Sequence, residues 1–261
     1  MIRSRKRAGL TLIELLTLLG LFLFLVGFLI PAVFRVRVAA GRTQSINNLK
    51  QMALALHSVN DAQRALPPVV GEFPANSNTR GTLHFYLLPY IEQDPLYKLA
   101  DGNVWNKGVY SQQVVTFLNP EDKTAPPNGL YEGWLATTSY AGNWMVFKLG
   151  GASIPRTFRD GTSNTLVFAE RYQMCNGQPT GWGYASLYYW APMFAYYSKA
   201  RFQMTPSQED CRPALAQATG RAGIQVALGD GSVRLLNDAL STLTWHLACD
   251  PADGMVLGND F

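Results

Sequence analysis

The sequence predicts an α+β fold, in which a long N-terminal helix packs on an antiparallel β-sheet with loop-rich insertions. The first 66 residues hold apolar and amphipathic runs at helical spacing, whereas from residue 69 onward short strand-like segments alternate with Gly, Pro and Asn turns. Of the 261 residues, 48% are hydrophobic and only 15% are charged. This composition excludes a disordered tail protein, because such chains are poor in apolar residues and rich in charge.

The apolar segment near the N-terminus predicts a membrane-spanning helix. The 20 residues from Leu15 to Phe34 contain one polar side chain, that of Thr17. At about 1.5 Å per residue they form a helix about 30 Å long, which matches the hydrocarbon core of a bilayer. A secretory signal peptide would have an apolar region of only about 7–15 residues and a small-residue cleavage site. Here Arg35 and Arg37 follow the run, as at a membrane boundary.

The net charge of +4 comes entirely from the N-terminus, where Arg3, Arg5, Lys6 and Arg7 supply four positive charges. The positive-inside bias therefore predicts a single-pass inner-membrane protein with a cytoplasmic N-terminus and a periplasmic or otherwise extracytoplasmic C-terminal domain. A nucleic-acid reader would group basic residues on a folded face. The remaining chain is neutral and shows no such grouping, so nucleic acid is not an expected partner.

Past the apolar run the pattern stays helical. Apolar residues recur at spacings of three and four with polar residues between them, and Pro67-Pro68 ends the pattern. One helix is expected from about Leu10 to about Arg64, and an apolar stripe packs its second half against a domain. The stripe consists of Ile46, Leu49, Met52 or Ala53, Leu56 and Val59.

The rest of the chain predicts short strands and a closing helix. Asp230-Gly231 between alternating apolar segments is a strong hairpin signal. A short helix is expected from Asn237 to about Ala248, with Asn237 or Ser241 as its cap. The strand candidates are Leu83–Leu88, Gln113–Leu118, Thr165–Glu170, Gly183–Tyr189, Ile224–Leu228 and Val233–Leu236.

Glu14 is unusual in an apolar segment, because a carboxylate inside a membrane needs a partner or a place at the interface. One interpretation puts it just outside the core, at the inner interface. The other starts from the string Arg7-Ala-Gly9-Leu10-Thr-Leu-Ile-Glu14-Leu-Leu. This string resembles the type IV prepilin-type cleavage and methylation segment: a basic leader, Gly before the cut, an apolar new N-terminus and Glu at the fifth mature position. Leu10 stands where that family usually has Phe.

The resemblance implies that a prepilin peptidase cuts after Gly9 and that Leu10 is N-methylated. The ammonium of Leu10 in one subunit would then pair with Glu14 of a neighbouring subunit. Pro31 would stand where pilins and pseudopilins often carry a helix-bending proline. The expected division is a basic leader at 1–9, a transmembrane and assembly helix at 10–34, its amphipathic continuation at 35–66 and a pilin-like, β-rich exported domain at 67–261.

A second resemblance covers nearly the whole chain. The strings that carry it are, in chain order, Asn47–Gln51, Leu88–Gln93, Ser139–Asn143, Asp160–Thr165 with Glu170, and Asp230–Val233. They resemble the pilin-like family called domain of unknown function 1559, whose C-terminal part is named for a His-X9-Asp-Gly motif. The resemblance implies a pseudopilin-type surface or secretion-system protein.

The chain departs from that family at three positions. Gly220 occupies the place of the motif's His, so no role of that His applies here. Family members often have Cys where this chain has Ser45 and Asn119. Both are missing together, as expected if they normally form a pair.

Three cysteines are present, Cys175, Cys211 and Cys249, and none lies in a Cys-x-x-Cys pair, which argues against a zinc site. An oxidising export side permits disulfides. Cys175 and Cys211 both lie in polar, loop-like surroundings and are the candidate disulfide, which would close an insertion. Buried free thiols are the alternative.

Two Asp-Gly loops, at Asp160-Gly161 and Asp230-Gly231, offer oxygen ligands on tight turns. Calcium is the cation that such loops would suit. Neither loop has the number or spacing of carboxylates that a closed site needs, so turn formation is the favoured interpretation. No metal site and no cofactor are therefore expected.

No catalytic signature occurs in the chain: Gly-x-Ser-x-Gly, His-Glu-x-x-His, Walker and dinucleotide fingerprints are all absent. His57, His84 and His246 share no spacing motif, so the protein is not expected to be an enzyme; a hydrolase with an unrecognised site is the remaining alternative. The aromatics of Tyr184–Tyr197 indicate either core packing, a subunit interface or a face for a glycan or another partner.

The leading hypothesis is a pilin-like or pseudopilin subunit of a type II secretion or type IV pilus-like structure. Its expected partners are prepilin peptidase, other pilin-like subunits and the membrane. The alternative is a helix-anchored exported binding module for a glycan or a protein. Gly9 and Glu14 favour the first hypothesis, because a plain anchor needs neither.

Overall fold

The structure is a computed structural model that describes residues 11–148, 150–196 and 200–261; inside its first helix, the side chains at 29–32, 34 and 35 are also outside the description. The chain divides into two compact units, 1–41 and 42–261. The predicted residues Gly9 and Leu10 lie outside the described residues.

The first helix, α1, runs from Leu12 to Gln63 over 52 residues and includes position 31. Its extent agrees with the predicted helix from about Leu10 to about Arg64. In the part of the chain that the structure describes, no helix combines the length and the apolar character that a membrane crossing requires. The transmembrane assignment of 10–34 therefore stays a prediction.

The remaining helices are short. They are α2 (Leu83–Leu87), α3 (Asp94–Leu99), α4 (Trp144–Phe147) and α5 (Thr242–Cys249), with 3-10 turns at Leu88–Tyr90, Asn106–Ser111, Val115–Phe117 and Pro127–Gly129.

The strands, like the helices, are mostly short. They are β1 (Val70–Glu72), β2 (Arg80–Thr82), β3 (Leu130–Tyr131), β4 (Leu135–Ala136), β5 (Tyr140–Asn143), β6 (Leu166–Glu170), β7 (Met174–Cys175), β8 (Gln178–Pro179), β9 (Met193–Phe194), β10 (Gln203–Met204), β11 (Gln217–Ala218), β12 (Ile224–Leu228) and β13 (Val233–Leu236).

The largest sheet has five strands in the order β13-β12-β6-β5-β9. Its pairs are antiparallel except β5 with β9, which is parallel. The predicted hairpin is confirmed, with Ile224 opposite Leu236, and Leu228 N donates to Ser232 O across the turn at 2.9 Å. The α+β class with an antiparallel sheet is thus confirmed.

Two apolar layers cover this sheet. Leu49, Met52 and Leu56 of α1 are buried in one core with Phe168 of β6 and Ala227 of β12. The residues that alternate with these point into a second core, which α5 closes. That second core includes Ala169, Val226, Ile224, Trp245 and Ala248.

Three strand predictions are wrong. Leu83–Leu88 forms α2 and the start of a 3-10 turn, because Thr82 caps the helix by accepting a hydrogen bond from Phe85 N. Gln113–Leu118 holds a 3-10 turn, and Gly183–Tyr189 consists of turns and bends. The C-terminal helix begins one residue after Ser241, which caps it through Thr244 N.

Candidate functional site

The first turn of α1 is closed by a reciprocal pair of Thr11 and Glu14. The backbone N and the Oγ1 of Thr11 each donate to Glu14 Oε2 at 2.8 Å. In return, the backbone N of Glu14 donates to Thr11 Oγ1 at 3.4 Å. This is a capping box, in which residue N3 returns to satisfy the N-cap backbone amide. The Thr-x-x-Glu signature of Thr11–Glu14 is visible in the sequence and would have predicted that the helix begins directly after Thr11.

The helix that follows this cap is apolar and exposed. Every described side chain from 12 to 28 is exposed except that of Val26, which is half-buried. Leu12 is 76% exposed and Phe28 67% exposed. Contiguous apolar surface of this extent marks a segment that another apolar environment covers. Pro31 lies within the same helix.

The structure brings the two Asp-Gly loops together. Asp230 N donates to Thr162 O at 3.0 Å, and Gly229 N donates to Thr165 O at 2.9 Å. Asp230 Oδ1 accepts from Ser232 N at 2.8 Å, which closes its own turn. Gly231 has φ +84° and Gly161 has φ +102°, so both glycines occupy backbone conformations that other residues rarely adopt.

Asp160 fastens the C-terminal segment to these loops. Its Oδ2 accepts from Asp253 N at 2.7 Å and its Oδ1 accepts from Gly254 N at 3.0 Å. Both carboxylate oxygens are therefore used by backbone donors. Within residues 11–148, 150–196 and 200–261, no group of three or more His, Cys, Asp or Glu side chains is placed to hold a metal ion. The loops act as turns and clamps in this structure.

Cys175 and Cys211 are joined in a disulfide with Cα atoms 5.4 Å apart. It links the end of β7 to the segment that precedes β11 and packs against Tyr172. Cys249 is a buried free thiol in α5. Burial raises the pKa of this thiol, so it stays protonated and unreactive.

A buried carboxylate network, which the sequence interpretation missed, fastens α1 to the sheet. Glu170 Oε1 accepts from Ser45 Oγ at 3.0 Å and from Asn119 Nδ2 at 2.8 Å. Its Oε2 accepts from Gln225 N at 3.2 Å. Tyr140 OH donates to Ser45 Oγ at 3.0 Å and extends the network. The signal in the sequence was the Glu that ends an otherwise apolar strand.

Burial raises the pKa of Glu170 to about 7, and the hydrogen bonds that it accepts offset only part of this effect. Asp122 is a second buried carboxylate, beside the start of β5 and the end of β6. It accepts from Ser139 Oγ and Gln173 N, both at 3.0 Å. Burial also raises the pKa of Asp122.

His84 is fully buried in α2 and contacts the rings of Phe117 and Phe168. Neither ring nitrogen has a hydrogen-bond partner among the described residues. Burial lowers the pKa of His84 to about 3, and the nearby backbone of Tyr140 opposes this only in part. The ring is therefore neutral and has the surroundings of a core residue.

A family model described as "Protein of unknown function (DUF1559)" matches residues 35–242. The chain belongs to this family. The match covers well over half of the chain and includes the strings around Asn47, Leu88, Ser139, Asp160 and Asp230. No curated protein and no solved structure matches the chain significantly.

Membership of the DUF1559 family gives the buried network a context. Ser45 and Asn119, the two positions at which the sequence resemblance leads one to expect Cys, both donate to the same oxygen of Glu170. The two positions are therefore neighbours in space. Here a hydrogen-bonded carboxylate links the two positions.

Another DUF1559 string ends at Asn143, which ties three elements together. Its Oδ1 accepts from Met145 N at 3.0 Å and caps α4. Its Nδ2 donates to Leu166 O and Cys249 O, both at 2.7 Å. This buried amide positions β6 and the end of α5, so its role is structural.

Proposed function

We propose that the protein is a pilin-like subunit, anchored in the inner membrane by residues 10–34 and assembled into or onto a type II secretion or type IV pilus-like structure. A prepilin peptidase cuts after Gly9 and methylates the amine of Leu10. The N-terminus faces the cytoplasm before processing, and the domain is extracytoplasmic. The chain works by assembly and not by catalytic turnover.

One observation carries this proposal: a carboxylate stands in the first turn of an exposed apolar helix, directly after a Gly-Leu junction. Cleavage there would leave the Leu10 ammonium one residue before the N-cap Thr11. Glu14 accepts two hydrogen bonds from Thr11, whereas an ionised carboxylate can accept about four. The ammonium of a neighbouring subunit can therefore pair with Glu14 without breaking the cap.

The first prediction is that the mature chain begins at Leu10 and carries an N-methyl group. The junction Arg7-Ala-Gly9-Leu10, with Glu five residues into the mature chain, is the reason. Mass spectrometry of N-terminal peptides from the native protein tests it. Peptides that begin at Met1, or near Ala40, would contradict the proposal.

The second prediction is that Glu14→Val abolishes assembly but leaves membrane insertion and cleavage intact. Membrane insertion of the variant should be at least as efficient as that of the wild type, because a carboxylate that is unfavourable in the membrane is removed from an apolar helix. Without it, the neighbouring ammonium has no partner in a low-dielectric setting, which costs several kcal/mol per contact. Cross-linked oligomers of tagged subunits should fall more than about tenfold at matched expression.

Two control variants separate charge pairing from helix capping. Glu14→Gln keeps the reciprocal cap, since Gln serves at N3 as Glu does, but it removes the charge and should also fail to assemble. Thr11→Val removes the hydroxyl part of the cap, keeps the bond from Thr11 N to Glu14 and keeps the charge, so it should assemble. Equal yields of cross-linked oligomers from wild type, Glu14→Val and Glu14→Gln would contradict the pilin-type mechanism and favour a helix-anchored binding module.

A further inference from the structure

Six aromatic side chains from three separate segments meet at the surface of the unit 42–261. All of them are at least partly exposed, and Tyr188 is 45% exposed. We call this group the aromatic face; it consists of Tyr110, Tyr131, Trp134, Tyr184, Tyr188 and Trp190.

Trp190 is the centre of the aromatic face. Its ring centroid lies 5.3 Å from that of Tyr131, 6.2 Å from Trp134, 5.2 Å from Tyr184 and 6.3 Å from Tyr188. The interplanar angles range from 47° to 67°, so the rings are tilted against one another. Because the rings are tilted and not stacked flat on one another, these partly exposed side chains form an uneven aromatic surface.

The aromatic face is held rigidly from below. Trp182 is fully buried, and its Nε1 donates to Gln112 O at 2.8 Å. Gly181 N donates to Trp190 O at 2.8 Å, and Trp190 Nε1 donates to Gln178 Oε1 at 2.6 Å. Gln178 belongs to the β7-β8 hairpin, which the disulfide also braces. A preorganised surface loses little entropy when it binds a ligand.

Free hydroxyl groups border the rings. Among the described residues, the hydroxyls of Tyr110, Tyr184 and Tyr188 have no hydrogen-bond partner. Each can donate one hydrogen bond and accept others. A ligand with hydroxyls of its own can therefore find complementary groups at any of the three.

Net charge is absent from the segments that supply the rings. Within 104–111, 130–135 and 183–191 the charged residues are Lys107 and Glu132, one of each sign. Lys107 also lies 3.9 Å from the carboxylate of Asp101. These segments therefore offer no excess charge that would favour an acidic or a basic ligand. An uncharged ligand can bind without the cost of removing water from a charged group.

We propose that the aromatic face binds a neutral oligosaccharide made of six-membered sugar rings. The apolar C–H faces of such rings stack on aromatic rings, and their rim hydroxyls hydrogen-bond to the tyrosine hydroxyls. The aromatic face consists only of residues of the unit 42–261 and uses neither Glu14 nor Leu10, so this proposal does not depend on whether the chain assembles. Leu187, which is 39% exposed, is the one exposed large aliphatic side chain of the segments 104–111, 130–135 and 183–191, so a protein partner would gain little aliphatic burial beside the rings.

The test uses the full-length protein in an amine-oxide detergent, because detergents with sugar headgroups carry the proposed ligand chemistry. Hexamers of β-1,4-linked glucose, β-1,4-linked N-acetylglucosamine and α-1,4-linked glucose are titrated by tryptophan fluorescence and calorimetry. At least one should bind with saturation. Raising NaCl to about 0.5 M should change the affinity less than about twofold, since the ligand is neutral.

Variants assign the binding to the aromatic face. Tyr188→Ala should weaken binding about tenfold or more, and Tyr184→Phe, which removes only a hydroxyl, about three- to tenfold. Tyr90→Ala is the matched control, because Tyr90 is 38% exposed and lies outside the face. It should change affinity less than about twofold.

Three results would overturn the proposal. None of the hexamers binds; or Tyr90→Ala weakens binding as much as Tyr188→Ala does; or a proline-rich peptide binds to the face and the hexamers do not.

Discussion

Arg171→Leu is expected to lower the free energy of unfolding by about 4 kcal/mol or more, because it leaves several buried carbonyl oxygens without a donor. Arg171 is 1% exposed. Its Nη1 donates to Ala191 O at 2.8 Å and to Met193 O at 2.7 Å, and its Nη2 donates to Pro213 O at 2.6 Å and to Tyr189 O. Urea unfolding, followed by fluorescence and circular dichroism, measures the change.

The matched control is Arg201→Leu. Arg201 also donates to two backbone carbonyls, those of Asp238 and Leu240, and pairs with the Asp238 carboxylate. Its side chain is 26% exposed and that of Asp238 is 67% exposed, so water can replace what is lost. This variant should cost about 1 kcal/mol or less. Equal losses in the two variants would show that burial of Arg171 is not the cause.

The difference between these arginines also shows what the sequence could not reveal. Arg171 follows Glu170 directly at the end of β6, and the two side chains serve opposite sides of the sheet. The Arg171 guanidinium donates to carbonyls of the turn-rich insertion. The Glu170 carboxylate accepts from donors that include Ser45 of α1 and Gln225 of β12. Nothing in the local pattern identifies these partners, since they lie 18 to 125 residues away along the chain.

Periodicity succeeded where an element is long or has a turn residue that admits one geometry. The limits of α1 and the Asp230-Gly231 hairpin follow from spacing and turn chemistry. Leu83–Leu88 failed because a short apolar run that is buried on all sides has no period that separates helix from strand. The Thr82 cap decided the outcome.

The candidate sites divide in the same way. The Thr11–Glu14 cap and the Asp-Gly turns are local, so sequence spacing contains them. The Glu170 network and the aromatic face assemble from segments far apart in the chain, and only the fold brings them together. The aromatics of 184–197 form a group in the sequence by their closeness along the chain, and the structure adds Tyr110, Tyr131 and Trp134 to that group.

Opposing pH dependences are expected from His84 and Glu170. The pKa of His84 falls from 6.5 in the unfolded chain to about 3 in the fold. Between these values the unfolded chain binds the extra proton, so stability falls as the pH drops, by roughly 5 kcal/mol over the whole window. This contribution is complete above about pH 6.5.

Glu170 has the opposite sign. Its pKa rises from 4.5 to about 7 in the fold, so the folded state binds the extra proton. Its contribution is complete below about pH 4.5 and is lost as the pH rises to about 7, by roughly 3 kcal/mol. Asp122, whose pKa burial also raises, adds to the loss at rising pH.

The two slopes largely cancel between about pH 4.5 and 6.5 in the wild type, where the free energy of unfolding should change little. Each variant exposes the other slope. Relative to the wild type, Glu170→Gln should gain stability as the pH rises through this window, because the opposing contribution of Glu170 is gone and only Asp122 still opposes His84. His84→Leu should become less stable over the same range, because the carboxylates then titrate without His84 to oppose them.

The quantity to compare is the slope of the free energy of unfolding against pH and not its absolute value, since either substitution also changes packing. Chemical unfolding at half-unit pH steps measures this slope directly. Parallel plots of unfolding free energy against pH for the two variants would rule out opposed titrations of His84 and Glu170.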